Sequence, residues 1–186
     1  MASWLIGIIV VVAAFIVVLV ALAALRARRR AELRRQFGPE YDRTVDEMGG
    51  RRRAEAELSR RAERRQEFEV RPLAPEARRR YSESWQNVQT RFVDAPADAV
   101  QEADVLVTKL MRDRGYPVDG FDDRNQFVSV DHPDLVENYR RAHRIAVADT
   151  ENKVTTEDRR QAMVHYRSLF EALLGSEEED AKRRAS

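Results

Sequence analysis

The stretch Tyr81-Ser82-Glu83-Ser84-Trp85-Gln86-Asn87-Val88-Gln89-Thr90-Arg91-Phe92 decides the fold. Its large apolar residues, Tyr81, Trp85, Val88 and Phe92, step by 4, 3 and 4, which gathers them on one face of a helix and leaves a polar face opposite. A strand would need alternation, and there is none.

Working outward, the same steps recur at Ala99, Ala103, Leu106 and Leu110, and again at Leu135, Tyr139, Ala142 and Ala146. Met163, Tyr166, Phe170 and Leu173 step by 3, 4 and 3. Four amphipathic stripes of similar length bury one another as a compact bundle of about four helices, so the expected fold class is all-α. The breaks agree. Asp94-Ala95-Pro96 ends one helix and can cap the next as a tight hairpin. Arg112-Asp113-Arg114-Gly115-Tyr116-Pro117 is a helix stop in which Gly115 takes the left-handed position and Tyr116 folds back on Met111. Thr155 followed by Asp158 resembles a capping box, and Gly175 closes the last helix. The segment 118–130 fits a short helix across the bundle end or a brief extended piece, of which the helix is favoured.

Before the bundle the chain changes character. Arg71-Pro72-Leu73-Ala74-Pro75 reads as a stiff linker, because two prolines in four positions cannot continue a helix. Upstream, Arg51 to Glu69 predicts a charged helix whose apolar line, Ala54, Leu58, Ala62 and Phe68, is too narrow for a globular core. It reads as a solvent-bridging spacer ahead of one strand of a weak coiled coil or a helix lying on a membrane. Gly49-Gly50 separates it from a short helical piece ending at Met48, and Phe37-Gly38-Pro39 separates that piece from the first helix.

From Trp4 to Leu25 there are 22 residues without a charge. At about 1.5 Å per residue this helix spans roughly 33 Å, close to the ~30 Å hydrocarbon layer of a bilayer. It has no polar stripe, so Leu5, Ile9, Phe15, Leu19 and Leu25 meet lipid as an anchor, with Trp4 at the interface. A cleaved signal peptide, with Ala21-Leu22-Ala23 as the cleavage spacing, carries positive charge before its apolar stretch, whereas here Arg26, Arg28, Arg29, Arg30, Arg34 and Arg35 follow it. Such a cluster stays on the cytoplasmic side, which predicts a single-pass cell-membrane protein with its N-terminus outside and its C-terminal domain in the cytoplasm. The same arginines read first as a topology signal alone, and contact with anionic lipid headgroups is the second reading. The expected organisation is an anchor with a basic segment over 1–36, a charged stem and linker over 37–71, a bundle over 72–175 and a frayed charged tail over 176–186.

The net charge of +1 hides an asymmetry: residues 26–80 hold 18 Arg against 11 acidic groups, and residues 81–186 hold 15 basic against 21 acidic. The absence of cysteine excludes disulfides, thiolate nucleophiles and thiolate metal ligands, and suits a reducing compartment. Arg outnumbers Lys by 30 to 3, which reflects genomic base composition in a high-GC bacterium rather than phosphate recognition. Glu55, Glu57, Glu63 and Glu67 interleave with the stem arginines and no aromatic platform accompanies them, so no nucleic-acid partner is expected.

Three histidines are the ordinary candidates for acid–base chemistry near neutral pH. His132 lies in Val130-Asp131-His132-Pro133-Asp134, which reads first as a helix start with Asp131 as cap and Pro133 in the first turn. His143 on the flank of the third stripe and His165 beside Tyr166 on the fourth read first as partly buried, hydrogen-bonded packing residues, and the rival reading is a pocket at the bundle end formed by Asp131, His132 and His143, with His165 as a further candidate. No His follows a Glu at the di-iron spacing, no HExxH pair occurs, and there is no Walker loop, dinucleotide turn or nucleophile elbow. The expectation is no catalytic residue, no metal and no cofactor.

Phe37-Gly38-Pro39-Glu40-Tyr41-Asp42-Arg43-Thr44, Arg91-Phe92-Val93-Asp94, Arg114-Gly115-Tyr116-Pro117-Val118 and Val130-Asp131-His132-Pro133 resemble an uncharacterised family of membrane-anchored helical proteins of actinobacterial type. The resemblance covers most of the chain after the anchor and implies no activity and no catalytic residues. Taken together, these readings predict a bilayer-tethered cytoplasmic module whose acidic bundle binds another protein. The alternative is a ligand-binding or hydrolytic domain at the Asp131, His132 and His143 pocket.

Overall fold

A computed structural model describes residues 3–151 and 153–175, with side chains described for residue 8 and from residue 13 onward. Among the described residues the chain is all-helical, with eight helices and no strand: α1 (Ser3–Phe37), α2 (Pro39–Met48), α3 (Arg51–Gln66), α4 (Pro75–Asp94), α5 (Pro96–Asp113), α6 (Phe121–Asp131), α7 (Val136–Asp149) and α8 (Thr156–Leu174). It divides into two compact units, Met1–Leu58 and Ser59–Ser186, and the division falls inside α3.

In the second unit α5 is the central element, packing against α4 on one side and α8 on the other, while α8 packs in turn against α7. Ala99, Val100, Ala103, Val107, Leu110 and Met111 of α5 are fully buried, and the two alanines let neighbouring helices approach closely. The stripes expected from the sequence face this core. Tyr81, Trp85 and Val88 of α4, Tyr139, Ala142 and Ala146 of α7, and Met163, Tyr166, Phe170 and Leu173 of α8 are all buried. Trp85 stacks on Phe170 with ring centroids 4.8 Å apart, an arrangement that adds about 0.5–1.5 kcal/mol to the area it buries. At two stripe positions a neighbour goes deeper: Val107 and Val136 are fully or almost fully buried while Leu106 and Leu135 are half-buried.

The stops form as their residues dictate. Gly115 adopts φ 89°, and the Tyr116 N–H returns to the Met111 carbonyl at 3.0 Å. Thr155 and Asp158 form a reciprocal capping box. The segment 118–130 resolves as the helix α6. Two caps do not form. Only Ala95 separates α4 from α5, so the turn is set by Pro96 at the first position of α5 without a side-chain cap from Asp94. Asp131 is the last residue of α6 rather than the cap of α7, which opens uncapped after Leu135.

The linker expected at residues 71–75 is fastened to the bundle. Phe68 meets Phe127 edge-on at 5.1 Å, Leu73 joins the core, and the Arg71 N–H donates to the Arg114 carbonyl at 2.9 Å. The chain from Glu67 to Leu73 is therefore a strap across the end of α5. This is why the division precedes it rather than falling at the prolines.

In the first unit the narrow stripe of the charged helix is buried rather than solvated: Ala54 and Leu58 are fully buried, as are Phe37 and Tyr41. Glu55 of α3 accepts from Arg30 Nε of α1 at 3.1 Å and from the Tyr41 hydroxyl of α2 at 2.9 Å, so one carboxylate ties three helices. Arg34 Nη2 bonds Asp42 at 2.7 Å, and its guanidinium lies 5.3 Å from the centre of the Tyr41 ring.

Among the described residues no helix is long and apolar enough to cross a membrane. The expected anchor residues Trp4, Leu5 and Ile9, like the tail 176–186, lie outside the described side chains. The single N-terminal transmembrane helix therefore stands on the sequence and not on the described residues. What is described of that stretch is exposed: Phe15 62%, Val17 66%, Leu19 49%, Val20 62% and Leu25 61%.

Candidate functional site

The polar side chains that reach the bundle interior form two separate networks, one centred on Asp104 and one on Asp131. Asp104 follows the buried Ala103, which turns its carboxylate along the flank of α5 toward α7 and α8. It accepts from the Tyr166 hydroxyl at 2.8 Å, and His143 Nδ1 of α7 lies 3.5 Å away, within ion-pair range but beyond good hydrogen-bond geometry. His143 in turn stacks on Phe121 with centroids 3.9 Å apart and planes 8° from parallel. Arg124 of α6 donates from Nε to the Tyr139 hydroxyl at 2.7 Å, and the Tyr139 ring meets Tyr166 edge-on. Six residues thereby tie α5, α6, α7 and α8.

Electrostatics follow from this geometry. Burial pushes the Asp104 carboxyl up, but the nearby His143 imidazole and the bond from Tyr166 outweigh it and hold the group below the usual carboxylate range. Burial, with Asp104 beside it, drives the Tyr166 hydroxyl far above the ordinary phenol value. Tyr139 is pushed up to about 12, mainly by burial. Both phenols stay neutral at physiological pH, Tyr166 donating to Asp104 and Tyr139 accepting from Arg124. The Asp104–His143 pair and the two phenols thus link helices that are far apart in sequence.

Asp131 takes part in the other network. Its carboxylate receives Arg65 Nε at 2.8–2.9 Å and the Tyr116 hydroxyl at 2.7 Å, while Arg65 Nη1 bonds the Phe68 carbonyl at 2.9 Å. Arg64 beside it pairs with Asp123 at 2.8 Å and lies over the Phe127 ring. This network docks the end of α3 and the strap onto α6.

The four residues that the sequence nominated for one pocket are thus distributed. Asp131 is engaged with Arg65 and Tyr116, and His143 with Asp104 and Phe121; no hydrogen bond, ion pair or ring contact joins these two among the described residues. His132 is half-buried at the turn after α6, its backbone N–H donating to the Val128 carbonyl at 2.8 Å. His165 lines an open groove of about 560 Å³ between α7 and α8, with Arg141, Arg144, Lys153, Glu137 and Asp158 around it. Burial and the Arg141 charge lower its imidazole below the ordinary value, so it is neutral at pH 7. Among the described residues no group of three or more His, Cys, Asp or Glu could hold a metal ion.

Sequence reading missed Asp104 and Arg65. Each is one charged residue in a helix rich in charge, and each finds its partner more than 60 positions away, Tyr166 for Asp104 and Asp131 for Arg65. No family model matches the chain, and neither a curated protein nor a solved structure gives a significant match.

Proposed function

We infer that this chain is a membrane-tethered module, anchored by its apolar N-terminal helix with the bundle in the cytoplasm, which docks another protein rather than catalysing a reaction. One observation carries the tether: from Phe15 to Leu25 the large apolar side chains of α1 are exposed on every side of the helix, 41–66% open. Water disfavours such a surface by about 25 cal/mol for each Å² of apolar area, and lipid does not. The exposed Arg26, Arg28 and Arg35, for which no ion pair forms among the described residues, follow the apolar stretch at headgroup depth, where each is worth about 1 kcal/mol against anionic lipid. The docking role is supported by the bundle's polar interior, whose carboxylates and phenols are committed to one another.

The absence of cysteine makes the test clean. Single cysteines replace Ser3 and Ser186 in turn, and intact cells are treated with a membrane-impermeant maleimide. Labelling at position 3 alone, with the chain resisting carbonate extraction, is the expected result. Labelling at position 186 from outside, or release by carbonate, overturns the tether. Photo-crosslinking from the bundle surface in native membranes tests the docking role, and the lack of any reproducible crosslinked protein would count it out.

A further inference from the structure

A groove of about 170 Å³ lies between α4 and α8, lined by Trp85, Phe92, Met163 and Val164 with Arg160 and Arg167 among its polar residues. Its chemistry is one-sided. Trp85 is 6% exposed, and its indole N–H is buried with no acceptor, an uncommon state for a group that normally finds one when removed from water. Arg160 commits Nε and Nη2 to Glu157, and Arg167 commits Nε to Glu171, each pair at 2.7 Å, which leaves each guanidinium with further N–H groups outside these pairs. None of the lining residues is acidic. The groove therefore presents an apolar floor edged by two guanidinium groups and the Gln89 amide, with no carboxylate in its lining.

We propose that this groove binds a small carboxylate with an apolar body, an aromatic or branched aliphatic acid, whose oxygens accept from the two arginines while its hydrocarbon part lies on Trp85, Phe92, Met163 and Val164. A neutral molecule of the same shape fills the floor but leaves the donors unmatched. A cation meets two guanidinium groups. The site is separate from the Asp104 and Asp131 networks and does not depend on where the chain is anchored.

The test uses the full chain in lipid nanodiscs, with empty nanodiscs as the blank, and 4-fluorobenzoate as the probe read by fluorine NMR line broadening. The neutral 4-fluorobenzyl alcohol is the shape-matched comparison. Saturable binding of the carboxylate, about tenfold tighter than the alcohol, is expected from charge-assisted hydrogen bonds. Val164→Trp, at a position 49% exposed, fills the groove from its rim without touching the core and abolishes the binding. Replacing Arg160 and Arg167 together by Ala removes the preference over the alcohol. Absence of saturable binding, equal affinity for both probes, or binding indifferent to Val164→Trp each overturns the proposal. Circular dichroism of the variants confirms that the bundle is intact.

Discussion

Tyr166 on α8 donates its hydroxyl to Asp104 on α5 at 2.8 Å, across 62 residues of sequence and beside the His143 imidazole. The pair sits where the central helix meets the two helices that close the bundle, so it fixes their rotation as well as their distance. Hydrophobic stripes are tolerant of small rotations because apolar contact is not directional. A hydrogen bond between a buried phenol and a half-buried carboxylate is directional.

Removing the hydroxyl by Tyr166→Phe leaves the half-buried Asp104 carboxylate short of a donor, which costs about 1–2 kcal/mol of bundle stability. The pH dependence has a definite sign. The folded Asp104 carboxyl is held below its ordinary value, so its contribution is complete at neutral pH, above an unfolded pKa near 3.9, and is lost as pH falls through the lower folded value. Urea unfolding between pH 7 and pH 3 checks this. The wild-type chain should lose stability toward the acid end more steeply than Asp104→Asn, and parallel curves would refute the assignment.

Gly115 faces a backbone. It has φ 89°, and a Cβ built there would meet the Glu69 carbonyl oxygen at 2.5 Å. Gly115→Ala must therefore adopt a left-handed conformation, at about 1–2 kcal/mol, and also push the strap away from α5. A total loss of about 2 kcal/mol or more is expected, with faster amide exchange from Glu67 to Leu73. Gly50→Ala, where the added carbon meets open space, is the control and should stay within about 1 kcal/mol of wild type.

The helices were legible because periodicity is a local property. Tyr81, Trp85 and Val88 announce a buried face whatever they are buried against, and Gly115 announces a stop because few residues accept its backbone angles. Burial of a thin stripe is not local: Ala54 and Leu58 read as solvated because their own helix is so highly charged, yet both are fully buried. The polar networks were illegible for a related reason. Asp104 and Arg65 differ from the surface charges around them only through partners that the fold delivers. Histidine drew attention as a residue type, and the structure spends His143 on a ring stack and leaves His165 on a groove wall.

Arg65 makes three bonds, two to the carboxylate oxygens of Asp131 and one to the Phe68 carbonyl, with its side chain 19% exposed. Arg65→Ala removes all three and leaves Asp131 with Tyr116 alone, at an expected cost of about 1.5–3 kcal/mol for charge-assisted bonds. Because Arg65 holds the end of α3 rather than the bundle core, the loss should show first as amide exchange between residues 62 and 70. Uniform destabilisation of all helices with no local opening would contradict a docking role.

Asp149 and Arg159 join the end of α7 to the start of α8, with Nη2 to Oδ1 at 2.5 Å and Nε bridging both carboxylate oxygens at 2.9 and 3.0 Å. The Asp149 side chain is 1% exposed, whereas Arg159 is 15% exposed. Burial on this scale makes the two single deletions unequal. Arg159→Ala strands a carboxylate with almost no access to water and should cost about 3–5 kcal/mol. Asp149→Ala strands a guanidinium that still reaches solvent and should cost less. Removing both takes away the stranded charge along with the bond, so the double variant should be more stable than Arg159→Ala alone, a non-additivity that a double-mutant cycle reads directly. Strict additivity would show that the pair, despite its geometry, is not coupled.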